Sequence, residues 1–345
     1  MEHVYPGFIA MNTNLGLTEI GAVRATNDYR EVGTLTPSVR ALIAYNTDSE
    51  LIPTVRSNGV LLAQIVPQGG RIAGLSSSVS LDAWNWEDAV LRADQGLHLY
   101  WPRLFSFNWR ERRREKNKNY DEQVKEVRDF MKAAQTYCGG TDAEEKNLNL
   151  EAMCPLFAGS RRLYIHTDDA KSIQQAVLLA EEYGLTPVIV GGRDSWLITD
   201  FLKRHKVPVV LGGVQELPGR KDADIDQPFK TPQLLHEGGV DFTISNGGSW
   251  QERNLAFQAG QAVAFGLNYE EAIEALTLTP AKVLGIDNRV GSLEVGKEAT
   301  LFLSTGDALD MRTNQLQHAF ISGREIDLDN RHKVLYRKYK NRYED

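Results

Sequence analysis

Residues 163–190 read LYIHTDDAKSIQQAVLLAEEYGLTPVIV, and this stretch decides the fold class. Leu163–His166 is a short apolar run of strand length. Ala170–Tyr183 then places Ile173, Ala176, Val177, Leu179 and Ala180 on one helical face. Gly184 supplies a left-handed stop, and Pro187–Val190 reads as a strand again. The alternation continues with a helix over Ser195–His205, a strand over Pro208–Leu211 and a short helix over Pro232–Glu237. A strand over Asp241–Ser245 and a helix over Gln251–Phe265, ended by Gly266, follow. Strand–helix units in series predict parallel strands joined by right-handed crossovers. In such folds the chemistry sits on loops at the C-terminal ends of the strands.

Upstream, Gly7–Met11 and Val60–Val66 read as strands, the second after a short helix ending at Asn58-Gly59. The loop-like Gly16–Thr47 between them has the length of a lid, a binding loop or an interface. Ser76–Leu81 reads as a strand leading into Trp84-Asn85-Trp86. Those two rings are expected in core or interface, with ligand stacking as the alternative. Tyr120–Tyr137 is an amphipathic helix with Val124, Val127, Phe130, Met131 and Ala134 on one face. Downstream, Ala299–Ser304 and Gln315–Ser322 read as strands without evident partners in the chain, a marginal arrangement by themselves. Arg331–Asp345 is a charged tail or fraying helix.

The 345 residues are 42% hydrophobic and 25% charged, which excludes disorder, a collagen-like chain and a disulfide mini-scaffold. No apolar run approaches the roughly 20 residues of a membrane-spanning helix. A formal charge of −7 argues against general nucleic-acid binding. The run Arg110-Glu111-Arg112-Arg113-Arg114-Glu115-Lys116 is broken by glutamates and reads as a solvated face opening a helix, with an anion patch as the alternative. Cys138 and Cys154 allow one bridge at most and fit no metal-ligand spacing. The segment Met1–Gly7 lacks the features of a signal peptide. A cytoplasmic location is the default, and a secreted or periplasmic one follows if an N-terminal segment is missing.

There is no P-loop, no G-x-G-x-x-G after a strand and no G-x-S-x-G elbow. His166 ends a strand before Thr167-Asp168-Asp169 and reads as a hydrogen-bonding His at a barrel mouth, with a base or a metal ligand as the alternative. A catalytic zinc, however, takes about three protein ligands. His3, His98, His205, His236, His318 and His332 are scattered and show no evident pairing.

Pro6-Gly7-Phe8-Ile9, the run Leu276-Thr277-Leu278-Thr279-Pro280-Ala281-Lys282-Val283-Leu284-Gly285 and the run Gly291-Ser292-Leu293-Glu294-Val295-Gly296-Lys297-Glu298-Ala299 resemble the amidohydrolase superfamily, imidazolonepropionase-like amidohydrolases in particular. Ile321-Ser322-Gly323-Arg324-Glu325-Ile326 resembles that family's closing strand. The resemblance implies an α/β fold, a distorted (β/α)8 TIM-like barrel over residues 5–290. It also implies the C-terminal strands of an incomplete β-sandwich over 291–330, before a charged tail over 331–345. It implies hydrolysis of non-peptide, cyclic-amide C–N bonds by metal-activated water.

Family ligands, carried over position by position, are mostly replaced. The first-strand H-x-H corresponds to Asn12-Thr13-Asn14, the fourth-strand carboxylate falls near Tyr100, and the fifth-strand His is His166. The sixth-strand His falls on Gly191 and the eighth-strand Asp on Asn246. A carboxamide is a weak ligand for a transition metal. His166 and Asn246 are thus the family-equivalent catalytic positions, and Asn12, Asn14, Tyr100 and Trp250 are candidate binding residues. His166 alone remains as a ligand if a metal is bound.

Three readings follow. The first is a superfamily member with a vacated metal site, needing no cofactor and acting as a non-catalytic or weakly active homologue, as a homo-oligomer or beside a paralogous amidohydrolase chain. The second is an active zinc- or other divalent-metal hydrolase around His166, with His98, Asp168, Asp169 or Asp241 building a shifted site. The third is a subunit binding a small polar or sugar-like ligand. In each the partner is a small molecule, not a nucleic acid or a membrane.

Overall fold

The computed structural model describes residues 2–108, 110–140 and 146–343. Its strands in chain order are β1 (His3–Pro6), β2 (Phe8–Thr13), β3 (Val60–Ile65), β4 (Ile72–Ser80), β5 (Val90–Tyr100), β6 (Phe105–Asn108) and β7 (Arg113–Lys116). They continue with β8 (Arg162–Thr167), β9 (Val188–Gly191), β10 (Val209–Leu211), β11 (Phe242–Ile244), β12 (Leu301–Ser304), β13 (Leu316–Ile321) and β14 (Arg324–Glu325). Eight of them form one sheet in the order β11-β10-β9-β8-β5-β4-β3-β2. The sheet closes on itself where Thr13 bridges Gly248, the Asn14 N–H donates to Gly248 O at 3.1 Å, and the Ser245 hydroxyl donates to Met11 O at 2.7 Å. The result is a distorted (β/α)8-type barrel.

The distortion has a local cause. β4 runs antiparallel to both β3 and β5. Only a short turn separates Ile65 from Ile72, and a parallel crossover needs a dozen or more residues. The other barrel pairings are parallel, each strand feeding a helix such as Ala170–Glu182 or Leu255–Ala264. The long segment 16–47 contains only two short 3-10 turns and packs Leu35 and Arg40 beside Ile72 and Leu75 of β4.

Inside the barrel, Ile9, Met11, Leu62, Tyr164, Val188, Val190 and Val210 form an apolar layer. Its floor is the helix Leu278–Leu284 with Ile286 and Val290. The floor therefore comes from the run that carries the family resemblance.

Several expectations are corrected. The C-terminal strands do not lack partners: β1 pairs with β12 and β14 with β13, giving a four-stranded antiparallel sheet built from both ends of the chain. The basic run does not open a helix. Arg113–Lys116 pairs with Phe105–Asn108 as a hairpin, and glutamates within the run pair with Arg113. The Trp84–Trp86 segment follows the end of β4, which lies against the start of β3, so it sits at the floor end and cannot stack a ligand at the mouth. The expected tail is a helix over Arg331–Lys340 that buries no residue, and positions 344–345 lie outside the described residues. Cys138 and Cys154 do form their one bridge, tying the end of the Tyr120–Gly139 helix to the segment before β8. Closing a loop of that size contributes about 3 kcal/mol. No helix of the described residues is long and apolar enough to cross a membrane.

The floor helix ends on Gly285 at φ +68°, and Arg92 Nη1 donates to Leu284 O at 2.9 Å beside it. A side chain there must adopt a left-handed conformation and meet that guanidinium. Gly285→Ala is expected to cost about 1–3 kcal/mol, read as a lower urea midpoint at unchanged slope. An unchanged midpoint would show that the cap carries no strain.

Candidate functional site

The C-terminal strand ends converge on a mouth whose upper layer is polar. β2 carries an extra residue opposite β3, with Ala10 paired to Ala63 but Thr13 to Ile65, and Asn12 takes φ +55°. This bulge turns the Asn12 N–H onto Gln64 Oε1 at 3.3 Å. Gln64 Nε2 donates to Ser76 Oγ at 3.1 Å. Ser76 Oγ lies 2.8 Å from His98 Nε2, and His98 Nδ1 lies 2.9 Å from His166 Nε2. Gln64, Ser76 and His98 are completely buried.

The chain of contacts has a direction. An amide nitrogen only donates, so Ser76 accepts from Gln64. The Ser76 hydroxyl proton goes to His98 Nε2 rather than to the more distant Gly96 O at 3.5 Å. His98 then holds its proton on Nδ1 and donates to His166, whose own proton sits on Nδ1. Burial pushes His98 well below the usual imidazole range, helped by repulsion from His166. Burial alone pushes His166 down to about 3. Both rings are neutral at physiological pH. Tyr100 stacks on His166 at 4.0 Å between centroids, and its buried phenol is pushed up, away from ionisation.

The statement that the remaining histidines offer no pairing is therefore corrected for His98. The signal was period two: His98 and Tyr100 share one face of β5, and each pairs in register with Tyr164 and His166 of β8. Ser76 and Gln64 left no such signal, because their reach depends on the antiparallel β4.

The side chains of the other expected residues lie around the mouth without joining this chain. Asn14 is buried, and Asn12 Oδ1 and Asn14 Oδ1 have no hydrogen-bond partner. Asn246 Nδ2 donates to Gln251 O at 2.6 Å. Trp250 is covered by its own neighbours, with the Arg253 guanidinium 4.3 Å and the His332 ring 5.4 Å from its centroid. Gly191 has φ +95°, and a Cβ there would lie 2.6 Å from Asp168 Oδ1. The Asp168 carboxylate thus occupies the space that a side chain at position 191 would need.

Among the described residues no three His, Cys, Asp or Glu side chains come together as a metal site. The donor set does not suit a divalent transition metal either. His166 Nε2 is committed to His98, and the family-equivalent positions hold carboxamides and a glycine, with the Asp168 carboxylate beside Gly191.

The sequence reading missed Glu252 altogether. It is completely buried in the 3-10 turn Trp250–Asn254 after β11. Burial pushes its carboxyl up to about 8, only partly opposed by the nearby Thr13 hydroxyl and Gly247 N–H. Neither carboxyl oxygen completes a hydrogen bond. The Thr13 hydroxyl donates to Gly248 O, so Thr13 Oγ has acceptor capacity left, which suits a protonated carboxyl.

A model of the amidohydrolase family matches residues 231–326. The imidazolonepropionase of Maricaulis maris (strain MCS10) is 29% identical over 177 residues, 49% of this chain and 41% of that protein. The imidazolonepropionase of Shewanella frigidimarina (strain NCIMB 400) is 30% identical over 138 residues, 39% of this chain and 29% of that protein. The chain thus matches less than half the length of these curated relatives. A solved amidohydrolase from Thermotoga maritima MSB8 superposes with a TM-score of 0.82 at 25% identity, covering 94% of this chain and 87% of that one. The chain has the amidohydrolase-superfamily barrel fold, with partial similarity to imidazolonepropionase.

The buried groups give opposing pH dependences. The histidines have depressed values, so their contribution to stability is present above about pH 6.5 and is lost as pH falls toward 3. Glu252 has a raised value, so its contribution is present below about 4.5 and is lost as pH rises to about 8. Melting temperature should therefore fall from pH 6.5 to 8, and Glu252→Gln should abolish most of that fall. A variant that still declines over this range would remove Glu252 as its cause.

Proposed function

We propose that this protein is a hydrolase-lineage barrel whose metal site has been vacated, retained as a non-catalytic or weakly active homologue that binds a small polar molecule at the barrel mouth. The observation that carries this reading is the His98–His166 hydrogen bond. It occupies Nε2 of the one family-equivalent histidine that remains, within a neutral chain whose Gln64, Ser76 and His98 are buried. A metal-activated water needs a charged or imidazole shell to hold the ion. Here Asn12, Asn14, Gly191 and Asn246 stand at those positions.

The alternative is a hydrolase that uses His166 as a base. The directed chain from Gln64 through Ser76 and His98 favours it, because such a relay fixes a tautomer and aims a proton. The magnitude opposes it. A base whose conjugate acid has a pKa near 3 is a weak proton acceptor at neutral pH, several units from the optimum. The same ring serves well as a neutral hydrogen-bond donor to a bound ligand. The Cys138–Cys154 bridge supports an oxidising compartment over the reducing cytosol.

Metal content decides between these readings. Protein purified without chelators and offered zinc, manganese and iron is expected to hold far less than one metal per chain while melting cooperatively. The variant Asn12→His, Asn14→His, Asn246→Asp is expected to gain little, since His98 still holds His166 and position 191 still lacks a ligand. Near-stoichiometric metal in the wild-type protein would overturn the vacated-site reading.

A further inference from the structure

The ground given up by the metal ligands has not been filled by apolar packing. A cleft of about 210 Å³ opens at the ends of β9 and β10. Gly191 lies on its wall. It also reaches the eighth-strand position, because a Cβ on Gly213 would lie 3.0 Å from Glu216 Oε1 and 3.4 Å from Asn246 Oδ1. The cleft is bridged from outside. Arg114 of the β6–β7 hairpin donates to Gly219 O at 3.0 Å, joining the insertion after β5 to the loop after β10.

The lining mixes both charges with an apolar wall. Arg193 and Arg220 face Asp168, Asp194 and Glu216, while Leu211, Val214 and Trp196 supply the apolar part. The pairings across it are long, Arg193 to Asp168 3.9 Å, Arg193 to Glu216 3.3 Å and Arg220 to Asp194 3.6 Å, although Arg220 also holds Asp222 outside the lining at 2.5 and 3.0 Å. Asp194 is the most buried of the charged groups, with its side chain 13% exposed. Its other contact, the Ala170 N–H, is also long at 3.4 Å. Burial raises its carboxyl above the ordinary value, opposed by the Ala170 N–H and Arg220.

From this arrangement we infer that the cleft is a binding site for a small zwitterion with an apolar body, of the free α-amino-acid type. The inference rests on the vacated-site reading and names its ligand. A simple anion would meet three carboxylates, and a simple cation would meet two guanidiniums. A purely apolar ligand would desolvate all five charges without replacing their hydrogen bonds. A zwitterion places its ammonium on the Asp194 and Asp168 side and its carboxylate on Arg193. Each end then meets a group whose contacts within the protein are long, and the side chain packs on Leu211, Val214 and Trp196.

The test is calorimetric titration of the intact protein with L-leucine, N-acetyl-L-leucine and L-leucinamide, with metal content measured on the same sample. Leucine is expected to bind saturably. Each capped analogue, lacking one charge, is expected to bind at least about tenfold more weakly. Arg193→Gln and the isosteric Asp194→Asn should each weaken leucine by about tenfold or more, with circular dichroism verifying that both variants are folded. Absence of leucine binding up to about 10 mM, equal binding of the capped forms, or folded variants with undiminished affinity would each overturn the proposal. Near-stoichiometric metal would instead sink the vacated-site reading, whatever leucine does. Metal-free protein that ignores leucine would sink only the zwitterion inference.

Discussion

Barrel closure between the first and last strands is the constraint on which the mouth depends. β11 has only three residues and cannot form a long ladder with β2. The seam is held instead by Gly248 O, which accepts from both the Asn14 N–H and the Thr13 hydroxyl, and by the Ser245 hydroxyl on Met11 O. Reaching that seam requires the bulge in β2. The same extra residue that brings Thr13 to Gly248 turns the Asn12 N–H inward onto Gln64. One backbone irregularity therefore closes the barrel and starts the polar chain that ends at His166, as bulges next to functional sites commonly do.

On the proposed vacated-site reading, that chain is what lets a barrel of this type do without an ion at its centre. Charged ligands buried together need a cation to offset their repulsion and desolvation. The groups here are neutral: a carboxamide, a hydroxyl and two imidazoles held unprotonated by burial. Each satisfies the next, so the layer requires no counter-charge. Its residual cost lies in Asn12 Oδ1 and Asn14 Oδ1, buried without partners, at about 1–3 kcal/mol for each unsatisfied group.

Periodicity made the second half of the barrel legible. Ile173 through Ala180 and the strands around them follow the 3.6- and two-residue patterns, and the observed elements lie within a few residues of the expected ones. What escaped was what depends on pairing across long separations. β1 with β12 is a contact between segments whose local sequence carries no mark of the partner, and the period-two signal of His98 and Tyr100 shows which face they share but not that β8 lies beside it. Glu252 was invisible for a different reason. A glutamate in a polar turn looks solvated until the seam buries it, and burial is a property of the closed barrel, not of the turn.

The run 276–285 and the polar chain at the mouth occupy opposite ends of the barrel. The run 276–285 forms the barrel floor, packing Val283 and Leu284 under Tyr164 and Val190. The family match over residues 231–326 covers that floor, β11 and the strands β12 to β14. Of the expected ligand positions it includes only Asn246. Packing of the floor constrains whether the barrel forms, while the mouth constrains only what binds there. Positions 12, 14, 191 and 246 lie outside the apolar cluster that contains the floor. A strong signature of the fold can therefore coexist with different chemistry at the mouth, as the proposed reading of the charged cleft beside Gly191 requires.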